Sequence, residues 1–338
     1  MMNIFPIGKT YIIAEVGLAH DGSLGVAKSY IDLAAKIGAD AVKFQTHIAE
    51  YESSSDEKFR VNIFPEDKTR YEYWKRTSFN YEQWLFLKNY SKKKKIDFLS
   101  SPFSLEACKI IKKLKTKYWK ISSGEINNTP LLIEIAKTNR PIFLSTGMSD
   151  YKEIEDALKI IYQYHKKVII LQCTSIYPCP PEKIGLEQII ELKKRFNLQI
   201  GYSDHTGDIF SSLAAVSLGA KVIEFHITFS KDFFGPDTSS SLTPNQAKYL
   251  VNGIKYINKL LVTPIKKNRS EFKNLRKIFN KGIYAKNDMK KNQVIKMNNL
   301  SFLKPVKYMM AKDFKKILGK KLKKEIKIGQ PLKLNETK

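Results

Sequence analysis

Lys43 and Lys120 each stand inside an apolar run, Val42-Lys43-Phe44 and Trp119-Lys120-Ile121. Lysine is almost never buried without a partner, so two such lysines mark a site. Hydroxyls accompany them: Ser101, Ser123, Ser145, Ser175 and Ser203 lie at the ends of comparable runs. Together they predict a cationic, hydroxyl-lined pocket that suits a phosphate plus a carboxylate. A competing arrangement pairs each lysine with Glu15, Glu125 or Glu224 in a buried ion pair. A Schiff-base lysine is a third use of the same residue type. His205 and His226 end consecutive runs, and two adjacent imidazoles are good ligands for a divalent transition metal. Glu15 and Glu125 remain as acid/base groups or acceptors for sugar hydroxyls. His20 and His47 follow the first two runs; they either touch substrate or face solvent. Cys173 and Cys179 are weaker candidates, Cys173 reading as core packing. With Cys108 they are too few and too irregular for a disulfide framework or a zinc ribbon.

The runs themselves define the scaffold. They are 11–16, 41–46, 96–101, 118–123, 141–146, 168–173, 199–204 and 221–228, with helix-like segments between them. Strands alternating with helices indicate βαβ units and a parallel sheet. The first helix shows one apolar stripe, Val26, Tyr30, Leu33, Ala34 and Ile37, and Gly38 stands where a helix should stop. Eight such units in roughly 250 residues give a (β/α)8 barrel, whose functional groups sit at the C-terminal ends of its strands. A doubly wound open sheet is the structural alternative. The long stretch 47–80, charged and aromatic, reads as a lid or interface element.

The alternation stops near residue 262. A polar, basic linker (263–277) with a short helix precedes a module of different kind (278–338). Its short strand and turn patterns, with a helix-like AKDFKKILGKK, predict a small separate β-rich domain.

Of the 338 residues, 59 are Lys or Arg and 33 Asp or Glu, a net charge of +26. Such a balance points to polyanionic partners. Only seven of the cations are arginine, the group preferred for bidentate phosphate and base recognition. A lysine excess scattered over the chain reads as solvated surface, so no nucleic-acid partner is expected. No apolar run approaches the roughly 20 residues of a membrane helix, and the N-terminus lacks the pattern of a secretory signal. The expectation is a soluble, reduced, cytoplasmic protein with no membrane partner.

Seven stretches resemble the sialic acid synthase (N-acetylneuraminate synthase) family: IIAEVGLAHDGSLGVAKSYIDLAAKIGADAVKFQTH, FLSSPFS, KISSGEINNTPLL, FLSTGMSDYKEIEDAL, QCTSIYPCPPEKIGL, GYSDHTGDI and GAKVIEFHITFSKDFFGPDTSSSLTP. They cover the barrel nearly end to end. The C-terminal module resembles, more loosely, the antifreeze-like SAF domain of the same enzymes.

The resemblance implies condensation of phosphoenolpyruvate with an N-acylated aminosugar, giving a nonulosonic acid and phosphate. It implies that His205 and His226 hold a divalent metal, Mn2+ with Mg2+ or Co2+ as alternatives, which polarises the sugar aldehyde. Lys43, Lys120, Ser101, Ser123, Ser145 and Ser203 would hold phosphoenolpyruvate. Glu15, Gln45, Tyr177 and Asp237 would meet the sugar, and Glu125 would position or activate the attacking water. It further implies a homodimer with domain-swapped C-terminal caps, with Lys304 and Phe279 as candidates for reaching the partner's site.

Three departures are visible. The first motif reads Ala19-His20-Asp21-Gly22, where many members have Asn-His-Asn-Gly. Strand 8 reads Glu224-Phe225-His226, where Glu-Lys-His or Glu-Arg-His is common. Leu303-Lys304-Pro305-Val306 replaces a Lys-Arg-Pro-Gly segment, putting a point charge where the family has a planar fork. The sugar is thus left open between N-acetylmannosamine and a dideoxy diacetamido sugar of the legionaminic or pseudaminic type. A synthase using a sugar phosphate would need more arginine than seven. A nucleic-acid-binding protein with a vestigial barrel would not keep Glu15, Lys43, Lys120, Glu125, His205 and His226 together.

Overall fold

Eight strands, alternating with helices, carry the site; the computed structural model describes residues 4–59, 66–262 and 270–338. The strands are β1 (Tyr11–Gly17), β2 (Ala41–Thr46), β3 (Asp97–Pro102), β4 (Trp119–Ile121), β5 (Ile142–Ser145), β6 (Val168–Cys173), β7 (Gln199–Asp204) and β8 (Val222–His226). Every paired neighbour is parallel, in the order β3-β2-β1-β8-β7-β6-β5-β4. The two end strands, β3 and β4, lie side by side, so the sheet curls into a barrel with one seam. Part of the long loop (60–65) and of the linker (263–269) lies outside the described residues.

Local chemistry explains where the helices start and stop. The first, α1 (Leu24–Ile37), opens on Ser23, whose hydroxyl accepts from Val26 N at 3.3 Å. It closes on Gly38 at φ 83°, a left-handed turn that only glycine adopts without strain. Its stripe is buried as expected except Val26, which is half-buried at the edge; Ala27 and Ile31 complete the buried face. The loop after β2 is built from α2 (Ala49–Glu52) and α3 (Arg70–Thr77). There follow α4 (Tyr81–Lys93), α5 (Leu105–Leu114), α6 (Thr129–Ala136), α7 (Tyr151–Tyr162), α8 (Gln188–Phe196), α9 (Phe210–Ser217) and α10 (Pro244–Val262). Asn80 with Gln83, and Asp150 with Glu153, form reciprocal caps at α4 and α7, a device worth about 1 kcal/mol each.

Strand alternation sorts two cores. Ile12, Ala14 and Val16 of β1 face the helices, while Tyr11 and Ile13 fill the barrel with Leu99, Phe143, Ile169 and Val222. Phe5 closes the lower end, stacked 5.0 Å from Tyr11. The Gln199 side chain ties that plug down through the Ile4 and Phe5 amides and the Phe5 carbonyl. The upper interior is therefore the part free to carry polar groups.

The chain divides into two compact units, Met1–Val262 and Thr263–Lys338. The second contains α11 (Lys273–Phe279) and an antiparallel pair, β9 (Gly282–Ala285) with β10 (Leu300–Leu303). Isolated bridges such as Met289 to Ile326 and Leu322 to Thr337 complete it around its own apolar core. The helix-like AKDFKKILGKK is a run of 3-10 turns, Ala311–Lys316, ending before Gly319. The charge is not scattered either. Residues 263–338 hold 23 Lys and Arg against 5 Asp and Glu, so this short unit carries +18 of the +26. Among the described residues, no helix is long and apolar enough to cross a membrane.

Candidate active site

Register brings charge together at the C-terminal ends of the strands. Glu15 of β1 lies beside Lys43 of β2 and His226 of β8, and Ser203 of β7 beside Glu224 of β8. Two residues below Glu15, Lys43 and Glu224, the side chains of Ile13, Ala41 and Val222 are hydrocarbon and fill the barrel. The result is a polar cavity of about 530 Å³ above an apolar floor, large enough for two small polar substrates.

Both lysines are paired. Lys43 Nζ is 2.8 Å from Glu15 Oε1 and 3.8 Å from Glu224 Oε2; Lys120 Nζ is 3.4 Å from Glu224 Oε1. All four side chains are buried. The expectation of a cationic pocket is corrected: two ammoniums and two carboxylates neutralise each other. Lone buried charges would be prohibitively unfavourable. Burial works against Glu224 ionising, but Lys120 and Lys43 outweigh it and hold its carboxyl near 2. Burial likewise pulls Lys43 down, yet Glu15 and Glu224 keep it above the usual lysine value. Lys120, with Lys43 as a like-charged neighbour, is lowered by burial. Glu125 is not part of this cluster. It sits half-buried on a 3-10 turn after β4, accepts from Asn128 Nδ2 at 2.8 Å, and is raised by burial.

The hydroxyls divide in role. Ser123, Ser145, Ser175 and Ser203 line the cavity. Ser203 donates to Glu224 Oε1 at 2.9 Å. Ser123 Oγ accepts from Gly147 N at 3.0 Å and lies 3.2 Å from Cys173 Sγ. A Cβ at Gly147 would meet Ser123 Oγ at 2.9 Å and press closer still on Ser175 and Cys173, so this turn requires glycine. Ser101 lies behind Lys43, 3.4 Å from its Nζ and off the cavity lining.

His205 and His226 are neighbours, with ring centroids 5.4 Å apart. His205 Nδ1 donates to the Thr174 carbonyl at 2.7 Å, which leaves Nε2 with a lone pair 3.0 Å from the Tyr177 hydroxyl. Burial and the second imidazole hold His205 neutral, at about 3. A neutral imidazole locked by a second hydrogen bond is the form a metal ligand takes. Asp237 Oδ2 is 3.7 Å from His226 Nδ1. Among the described residues no group of three or more His, Cys, Asp or Glu is arranged to hold a metal. The residues that could hold a divalent ion are the two neighbouring imidazoles of His205 and His226, with the rest of its shell left to substrate or water.

Two histidines separate in fate. His20 neither touches the cavity nor faces solvent: it is fully buried, stacked 4.5 Å from Phe79, with Nδ1 accepting from Gly22 N. His47 lines the cavity between Trp74 and Phe103. The sequence offered Glu224 as one of three possible counterions, though not as the one both lysines share, and did not reveal Glu52, Arg70 and Trp74 as cavity lining. The Glu-Phe-His run at the end of β8 was the available signal for Glu224; the loop residues left none. Cys108, Cys173 and Cys179 are free and buried. Lys304 belongs to the second unit, its Nζ 5.4 Å from the Phe279 ring centroid.

A family model described as the NeuB family matches residues 30–266, and one described as the SAF domain matches 280–336. The chain is 40% identical over 319 residues to the N,N'-diacetyllegionaminic acid synthase of Campylobacter jejuni, covering 92% of this chain and 95% of that one. It is 36% identical over 259 residues to the N-acetylneuraminate-9-phosphate synthase of Homo sapiens, covering 76% and 72%. The crystal structure of N-acetylneuraminic acid (sialic acid) synthetase from Leptospira borgpetersenii aligns with a TM-score of 0.71 at 32% identity, covering 81% of this chain and 94% of that one.

Proposed function

Because the chain belongs to the NeuB family, we propose that it condenses phosphoenolpyruvate, an N-acylated aminosugar and water to a nonulosonic acid and phosphate. The observation that carries this reading is one cavity holding a lysine–carboxylate cluster beside two neighbouring imidazoles. The sugar is N-acetylmannosamine or a dideoxy diacetamido sugar of the legionaminic or pseudaminic type.

The roles follow from charge and placement. Lys43 and Lys120 present ammoniums to the carboxylate and phosphate of phosphoenolpyruvate, with Ser123 and Ser145 donating hydrogen bonds and Ser203 turning its one proton from Glu224 to the substrate. Their carboxylate partners keep the empty site neutral, so an arriving anion shares the lysines with Glu15 and Glu224. Gln45, Tyr177, Asp237 and Glu15 orient the sugar. C3 of phosphoenolpyruvate attacks the sugar aldehyde carbon, and the aldehyde oxygen takes a proton. C2 becomes electron-poor; Glu125 takes a proton from the water that adds there. The tetrahedral carbon then expels inorganic phosphate by breaking its C–O bond. A divalent ion on His205 and His226, Mn2+ first and Mg2+ or Co2+ as alternatives, would supply the Lewis acidity that polarises the aldehyde. Holding two substrates and a water in register supplies much of the rate.

The reading extends to a homodimer in which the SAF unit of one copy serves the barrel of the other, working in the cytoplasm. The decisive experiment measures phosphate release from phosphoenolpyruvate with a panel of aminosugars. Release dependent on one N-acylated aminosugar supports the reading; release with none of them ends it.

A further inference from the structure

We propose that His47 and Glu52 form a positioning dyad that sets the Gln45 amide and, through it, the Glu15 carboxylate that receives the sugar. The identity of the sugar rests on the synthase reading above; the dyad itself rests on geometry.

Gln45 Nε2 lies 3.1 Å from Glu15 Oε1. A carboxylate only accepts, so this is the NH2 end of the amide; the flipped amide would face two acceptors to each other. Gln45 Oε1 therefore faces His47 Nε2, at 3.1 Å, and Nε2 must carry a proton. His47 Nδ1 lies 2.7 and 2.9 Å from the two Glu52 oxygens. Two proton placements satisfy this pattern: a neutral ring facing a carboxylic acid, or an imidazolium facing a carboxylate.

The surroundings decide between them. The ring is stacked between Trp74 and Phe103, 4.7 and 4.1 Å away. Both side chains of the pair are buried, and burial disfavours the charged form of each. His47 is pushed down to about 3 and Glu52 up to about 9. The titratable groups facing the pair are Arg70 on α3, Glu57 in the preceding loop, Glu15 on β1, Lys43 on β2, Glu125 after β4 and the buried His20. Their signs are mixed, and burial outweighs them.

The donors thus run one way: Glu52 O–H to His47 Nδ1, His47 Nε2–H to Gln45 Oε1, Gln45 Nε2–H to Glu15 Oε1. Lys43 grips that same Glu15 oxygen. Glu15 Oε2 is left buried on the cavity without a hydrogen-bond partner among the described residues. It is the acceptor that remains for a sugar hydroxyl. Ser78 shares its one hydroxyl proton between the Trp74 and His47 carbonyls, at 2.6 and 3.0 Å, which ties the helix carrying Trp74 to the His47 backbone. The loop after β2 orients the sugar site from behind.

Two measurements test this on the full chain. The first is 15N NMR of histidine-labelled protein without substrate, with His47 assigned by comparison with His47→Gln. The expected ring is neutral, with Nε2 protonated and Nδ1 bare, unchanged from about pH 5.5 to about pH 8. A doubly protonated ring, or an Nδ1–H tautomer, overturns the dyad whether or not the synthase reading holds. The second is kinetic. Glu52→Gln keeps a donor toward His47 but cannot ionise. It should keep kcat/KM for the sugar within about threefold at neutral pH and lose the wild-type fall in activity above about pH 9. Glu52→Ala should raise the sugar KM about tenfold while the KM for phosphoenolpyruvate stays within about twofold. Equal damage from Gln and Ala, or an equal rise in both KM values, would refute the positioning role.

Discussion

Lys120 Nζ lies 3.4 Å from Glu224 Oε1, both side chains buried at the top of the barrel. Lys43 leans on the same carboxylate from the other side, and Ser203 donates to it. Removing the carboxylate charge takes from Lys120 its buried counterion, while Lys43 keeps Glu15 at 2.8 Å. Glu224→Gln should therefore destabilise the protein by about 3 kcal/mol or more, since breaking one side of a buried pair leaves the other uncompensated. Urea unfolding measures it. Adding Lys120→Met to Glu224→Gln should recover part of the loss. A loss under about 1 kcal/mol for Glu224→Gln would mean water screens the pair.

That pairing shows where sequence reading stops. Eight apolar runs reported the eight strands within a residue or two at most ends, because strand burial writes itself into neighbouring positions. Lys43 and Glu224 are far apart in the chain, and only strand order brings them together. Single residues inside apolar runs were visible, and so were Glu15, Glu125 and Glu224 as possible counterions; which carboxylate meets which lysine was not. His20 illustrates the converse. It sits in a motif beside the site, yet the aromatic cluster of Phe79, Phe44 and Trp84 draws it into the core. The loop after β2 has no periodicity to read, so Glu52, Arg70 and Trp74 emerge only from the folded shape. In the second unit, Phe314 and Ile317 imitate a helical stripe, but the backbone turns in 3-10 steps and Gly319 ends it.

Glu125 controls the next prediction. Burial raises its carboxyl above the ordinary glutamate value, and a base works only when deprotonated. As pH falls through the raised value, kcat should fall with it, at a higher pH than an exposed glutamate would give. Glu125→Gln should lower kcat strongly, flatten that limb, and leave binding of phosphoenolpyruvate nearly intact. In 18O water the label should enter the nonulosonic acid and not the phosphate. Label in phosphate would mean P–O cleavage and would remove Glu125 from the water step.

The two imidazoles predict metal dependence. Chelation should abolish turnover, and Mn2+, Co2+ or Mg2+ should restore it. His205→Ala and His226→Ala should each lose Mn2+ binding in calorimetric titration while the circular dichroism spectrum stays unchanged, because neither ring belongs to the apolar cores. Full activity in a chelated sample would rule the metal out.

The SAF unit poses the last question. A barrel mouth open to water would let intermediates be intercepted early, so something must cover it. The proposed cover is the C-terminal unit of a second copy, reaching in with Lys304, whose ammonium now rests over the Phe279 ring. Removing residues 264–338 should then leave a folded, metal-binding barrel with little synthase activity. Mixing His205→Ala with Lys304→Ala separates the two geometries. In a mixed dimer with swapped caps, one barrel keeps both imidazoles and receives an intact Lys304 from its partner. Activity should rise above that of either parent, provided Lys304→Ala alone is impaired. If each barrel were served by its own chain, every barrel in the mixture would lack one or the other. No rise, under conditions where mass spectrometry shows that subunits have exchanged, would establish that arrangement instead.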